Sequence, residues 1–165
     1  MLALSFKQPW AWLVAAGIKD VENRTWWLHL PPGRIYIHAS KTLDDAHWEF
    51  IRDRVTEELW KQIWTMDFID SLPRGAIVGE IDIVGQICNK PPSREDEALL
   101  SNQPSKSSMG DKMFEAEYYK NKISPWFTGP YGLVLKNAIL YDNPVPFKGH
   151  QRFFKIEGLV ERLPR

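Results

Sequence analysis

Apolar and polar positions change period several times along the chain, and each change marks an element. Residues 2–6 read as a short strand, and the turn through Lys7 and Gln8 sets Pro9 where the first helical position would fall. Trp10, Leu13 and Val14 then recur at spacings of three and four, one apolar helical stripe. Gly17 ends that helix, because a residue without a side chain takes the left-handed cap conformation. Residues 19–24 are thus expected to form a polar loop leaving a rigid helix end.

Residues 34–39 alternate, with Ile35, Ile37 and Ala39 on one face and Arg34, Tyr36 and His38 on the other, as in a half-buried strand. The tip of this strand is expected to point His38 and Ser40 in different directions. Thr42 and Asp45 resemble a capping box, and Trp48, Ile51, Val55, Leu59 and Ile63 keep the period of one long helix behind it. Pro73 to Gly75 is a turn. The run 76–87 then alternates as a strand, with Gly79 and Gly85 marking bends or bulges. Residues 89–122 turn to Pro, Ser, Lys, Asp and Glu and read as a mobile insertion within a single domain spanning 1–165. Tyr131, Leu133 and Leu135 alternate as another strand, with further strands near 139–141 and 153–156. Curved strands with a few flanking helices add up to an α+β domain around a small β-barrel.

Composition narrows the class. The 165 residues contain 44% hydrophobic and 25% charged side chains, which suits a packed globule. With 21 Lys and Arg against 21 Asp and Glu, the formal charge is zero. A bulk basic footprint for nonspecific DNA binding is therefore missing, so any nucleic acid must be drawn by a local patch. Cys88 is the lone cysteine, which excludes an internal disulfide framework and a multi-cysteine zinc site and fits a reducing, cytoplasmic compartment. The apolar run 11–18 is too short for a membrane span. His29, His38, His47 and His150 have no short metal-ligand spacing, and neither a metal nor a cofactor is expected. Asp44 with Asp45 sits at a helix start, and Glu57 with Glu58 on a solvated face, so neither pair is a catalytic dyad. Eight Trp are several times the usual number, and flat indoles suit both cores and ligand faces.

Several segments together resemble the ASCH domain family. They are LSFKQPWAWL at 4–13, GIKDVENR at 17–24, IHASK at 37–41, GAIVG at 75–79, SPWF at 124–127, GPYG at 129–132 and KGHQ at 148–151. The motif within the second segment is Gly-x-Lys-x-x-Glu-x-Arg, formed by Gly17, Lys19, Glu22 and Arg24. The resemblance implies a PUA-like β-barrel with a cleft at its side where this loop sits, and binding of RNA, a nucleotide or a modified nucleoside. Some small bacterial members resemble amidohydrolases of acylated cytidine nucleosides, and others have been proposed as ribonucleases. The amidohydrolase-like members carry Thr where this chain has Glu22.

Chemistry assigns roles within that frame. Lys19 is suited to a phosphate or polarised carbonyl, and Arg24 adds a second cation on the same loop. Glu22 accepts from an exocyclic amine or orients Arg24. In a hydrolase, Lys19 and Glu22 would be the catalytic pair. Gln8 and Trp10 precede the loop, while Trp10, Trp26 and Trp126 are stacking candidates worth about 1–3 kcal/mol per base. Trp12, Trp48, Trp60 and Trp64 fit packing stripes instead. His38, Ser40 and Lys41 end a strand near the expected cleft, and Lys148 and Gln151 reach it from a late loop, Gln151 to read a base edge and Lys148 to meet phosphate. A structural Glu22–Arg24 bridge and a satisfied, half-buried His38 stay open as bland alternatives.

Overall fold

A computed structural model describes residues 1–25, 33–89 and 124–157. Among them the elements run β1 (Leu2–Gln8), α1 (Trp10–Ala15), β2 (Val21–Arg24), β3 (Gly33–Leu43), α2 (Trp48–Arg52), α3 (Glu57–Ile63), α4 (Met66–Ser71), β4 (Ala76–Cys88), β5 (Tyr131–Pro146) and β6 (Phe153–Lys155). The class is α+β. The strands form one mixed sheet in the order β2-β5-β4-β3-β1-β6. That order has two ends, and among the described residues no pairing joins them, so an open sheet stands where a barrel was expected.

The chain divides into two compact units, one of Met1–Lys19, Arg34–Ile81 and Asn137–Arg165, the other of Asp20–Gly33 and Asp82–Lys136. The boundary falls inside β4, after Ile81, and inside β5, before Asn137, where that residue takes φ 53. Asn tolerates the left-handed region better than most residues. The strands expected at 131–135 and 139–141 are therefore one strand. Of the expected insertion at 89–122, only Asn89 lies among the described residues.

In the first unit, β1 runs parallel to β3, pairing Leu2 with Ile35 through Phe6 with Ala39, and antiparallel to β6. Its core gathers Ala3, Tyr36, Ile77 and Ile156, with Phe147 and Phe154 packed against them. The alternation read in β3 overstated its exposed face: Tyr36 and His38 are 1% and 3% exposed. A strand hydrogen-bonded on both sides and packed on both faces buries both sets of side chains.

The long helix expected from residue 48 to 63 is two helices, and α4 follows. Thr56 accepts from Leu59 N at 3.3 Å and starts α3, and Thr65 accepts from Phe68 N at 3.2 Å and starts α4. Each hydroxyl satisfies an N-terminal N–H that an uninterrupted helix would have bonded to backbone. The apolar period survives these breaks, since Trp48, Ile51 and Ile63 remain buried. Trp48, Trp60 and Trp64 also pack on one another, with centroids 5.1–6.3 Å apart. The capping box at Thr42 and Asp45 does not form. β3 extends through both Thr42 and Leu43, and Asp44 instead accepts from Ala46 N at 3.3 Å. Among the described residues, no helix is long and apolar enough to cross a membrane.

Candidate functional site

The first unit holds a recess of about 1010 Å³ where the ends of β1 and β3 meet the loop that follows β5. Parallel pairing sets Ser5 beside His38, and both line it. Ser40 lines it too, because residues two apart on a strand share a face. His38 and Ser40 thus point the same way, against the expectation. The loop supplies Lys148, Gly149, His150, Gln151 and Arg152. Lys7, Lys41, Lys148 and Arg152 bring four cations to the lining, and among the described residues no Asp or Glu belongs to it.

His38 ties strand to loop. Its Nδ1 lies 3.0 Å from Ser5 Oγ and its Nε2 3.1 Å from the Phe147 carbonyl oxygen. Ser5 Oγ also donates to the His150 carbonyl oxygen at 2.8 Å. Gly149 leaves no room between its backbone and the ring, since a Cβ there would overlap the imidazole. Burial pushes His38 below the ordinary imidazole value; the bond to Phe147 works upward, and the neighbouring His150 downward.

The residues ahead of this recess are anchored inside the first unit. Gln8 is fully buried, its Nε2 donating to Pro73 O at 2.8 Å and its Oε1 accepting from Trp12 N at 3.1 Å. Both ends of the amide are thus held by protein groups, and Gln8 fixes the turn into α1. Gly17 takes φ 73, as its place at the helix end required, and Lys19 N then donates to Leu13 O at 3.0 Å. Lys19 is 4% exposed, with its ammonium 5.8 Å from the Trp10 ring centroid. It is not among the residues lining the recess. Trp10 donates from Nε1 to Asp44 Oδ2 at 2.9 Å and meets Phe50 edge-on, so its indole is engaged by protein groups.

In the second unit, β2 pairs antiparallel with β5, Glu22 with Leu133 and Arg24 with Tyr131. Glu22 and Arg24 form an ion pair at 3.2 Å, and Arg24 Nε is buried without a hydrogen-bond partner. Asn23 does work that sequence reasoning missed. Its Oδ1 accepts from Thr128 N and Gly129 N, and its Nδ2 donates to Trp126 O, which pins the SPWF turn. Asp20 adds an acceptor for Ser124 Oγ at 2.5 Å. Trp126 is 3% exposed, so its ring packs and offers no open face for stacking. Trp26 lies outside the described residues.

The recess therefore brings together His38, Ser40, Lys41, Lys148 and Gln151 from the expected set and leaves Gln8, Trp10 and Lys19 in packing roles. It adds Ser5, Lys7, His150 and Arg152, which were missed. Ser5 was legible in principle, because a parallel register of residues 2–6 on 35–39 puts it next to His38.

A family model described as the ASCH domain matches residues 4–128. Among solved structures, the chain is similar to ASCH from Zymomonas mobilis, at 12% identity over 98% of this chain and 90% of that one, with a TM-score of 0.47. A serine-to-alanine mutant of that protein matches at 13% identity over 98% and 91%, with a TM-score of 0.46. A tyrosine-to-phenylalanine mutant does so at 13% over 98% and 93%, with a TM-score of 0.43. No curated protein matches.

Proposed function

The chain belongs to the ASCH domain family, and on that premise we propose that it binds a short single-stranded stretch of RNA, or a nucleotide, in the recess of the first unit. The observation that carries this reading is the lining's charge. A chain with no net charge collects four Lys and Arg side chains and, among the described residues, no carboxylate around one hollow. That is the local patch a neutral RNA binder needs, because phosphates dominate nucleic-acid affinity. Lys7, Lys41, Lys148 and Arg152 take phosphates. Gln151 and Ser40, with both donors and acceptors, read base edges. Phe147 adds an aromatic ring to the lining.

The assignment moves the site from the Gly-x-Lys-x-x-Glu-x-Arg loop to the strand ends and the KGHQ loop. The hydrolase alternative through Lys19 and Glu22 gains nothing from the placement of Lys19, whose ammonium lies against Trp10. The test is a titration with short oligoribonucleotides between 50 and 200 mM salt, for wild type and a Lys41→Ala, Lys148→Ala double variant. Each neutralised phosphate contributes about 0.7 to the slope of log K against log salt, so the double variant is expected to bind more weakly and lose about 1.4 from that slope. Equal affinities and slopes in the two proteins would remove the recess as the binding site.

A further inference from the structure

Three contacts at the floor of the recess need three hydrogens: Ser5 Oγ to His150 O, Ser5 Oγ to His38 Nδ1, and His38 Nε2 to Phe147 O. The two carbonyl oxygens only accept. Ser5 supplies one hydrogen. A neutral imidazole supplies one more, on either nitrogen. With the hydrogen on Nε2, the bond to Phe147 O is made, and the single Ser5 hydrogen must choose between Nδ1 and His150 O. With it on Nδ1, the Ser5 contacts are both made, and Nε2 turns a lone pair on the Phe147 carbonyl. Only the imidazolium, with a hydrogen on each nitrogen, serves all three at once.

From this count we infer that His38 is a proton-coupled positioning residue of the recess: an anion bound there is accompanied by a proton taken up on the His38 ring, which fixes the loop carrying Lys148, Gln151 and Arg152. The inference rests on the reading of the recess as a phosphate-binding site and adds how that site is regulated. It follows from linkage, since a ligand that favours the protonated ring must bind more tightly as protons become available.

The surroundings explain why the ring holds its proton weakly. Among the described residues, β1 packs on the ring through Ser5, β6 through Phe154 at 5.8 Å, and the loop through Phe147 and Gly149, with His150 nearby. Among these contacts the neighbouring His150 works against protonation of the His38 ring. The charged groups of the lining, Lys7 on β1, Lys41 on β3, and Lys148 and Arg152 on the loop, have the same sign. On β6, Lys155 pairs with Glu157 at 2.9 Å. Burial and this repulsion work against protonation of the ring, and a guest's phosphates relieve the repulsion.

The experiment measures affinity from pH 5 to 8 at fixed ionic strength for two probes whose own charge is constant over that range, a five-residue oligouridylate and trimetaphosphate. Wild type is compared with His38→Gln, Ser5→Ala and His150→Gln, and the His38 ring is followed by nitrogen NMR with and without trimetaphosphate. Uptake of one proton allows at most about a tenfold rise in affinity per pH unit. Wild type and His150→Gln are expected to bind both probes at least about threefold more tightly at the acid end than His38→Gln does, relative to their affinities at pH 8. Ser5→Ala, which keeps the ring but removes the shared hydrogen, loses this gain. The His38 pKa rises when trimetaphosphate binds. Parallel pH profiles in wild type and His38→Gln, or an unmoved His38 pKa, would overturn the coupling while leaving the RNA reading intact. Proton-coupled binding of trimetaphosphate without binding of the oligonucleotide would overturn the RNA reading and keep the coupling, and failure of both probes to bind would sink both.

Discussion

Gly149 lies against the face of the His38 ring so closely that a Cβ on residue 149 would overlap it. A methyl group there must displace either a buried imidazole or the loop, and forced overpacking costs about 1–3 kcal/mol. Gly149→Ala is accordingly expected to lower the denaturant midpoint by a corresponding amount and to weaken oligoribonucleotide binding. A variant that matches wild type in both measurements would show that the contact gives way freely.

Lys19 separates packing from ligand binding. Its side chain is 4% exposed and its ammonium sits over Trp10. Truncation of such a buried side chain costs about 1–3 kcal/mol. Lys19→Ala is expected to destabilise the protein by that amount in urea unfolding and to leave the salt slope of RNA binding unchanged. A slope reduced by about 0.7 would return Lys19 to the binding surface.

Trp10 and Asp44 make an acid-sensitive pair. Burial works to raise the Asp44 carboxyl, but hydrogen bonds from Trp10 and His47 and the nearby imidazole outweigh it and hold the group below its ordinary value. A carboxyl depressed in the folded state adds stability that is present above the unfolded value of about 3.9 and is lost as pH falls through the folded one. Trp10→Phe is expected to cost about 1–2 kcal/mol at pH 7. Its stability should converge toward that of wild type as pH falls below the ordinary carboxylate range, as read from urea unfolding.

Tyr141 donates to Glu80 Oε1, and Arg34 Nε holds Glu80 Oε2 at 2.5 Å. Burial first, then the bond to Glu80 and its charge, push the Tyr141 phenol well above the ordinary tyrosine range. A raised acid keeps its proton in the folded state, so its contribution is full below about pH 10 and declines as pH rises beyond that. Tyr141→Phe is expected to lower stability by about 1 kcal/mol at pH 7 and to flatten the loss of stability above pH 10. An unchanged alkaline profile would count against the bond to Glu80.

The strand positions of the first unit were legible because period-2 runs at 2–6, 34–39 and 76–87 come from side-chain sterics that need no knowledge of neighbours. His38, Ser40 and Lys41 could be read as the end of a strand for the same reason, whereas the cleft beside them was only what the family resemblance implied. Whether Lys19 faced water or protein was not legible. Gly17 dictates where the helix stops, but the direction of a long side chain beyond it depends on Trp10, which reaches that spot through its own bond to Asp44. The breaks at Thr56 and Thr65 were available as caps, Thr56 with Glu57 and Glu58 in the first turn behind it. They were overridden by an apolar period that runs on through them. Asn23 was passed over because a clamp holding backbone a hundred residues away leaves no local pattern.

Among the described residues no acidic group lines the recess, and this bears on the salts in which a guest is studied. Magnesium and calcium seek carboxylate oxygens, and the charged side chains in the lining are lysine and arginine, which repel them. A phosphate chain held there is neutralised by side chains alone. Chelators should then leave its hold untouched, and adding magnesium should loosen it by competing for the phosphates.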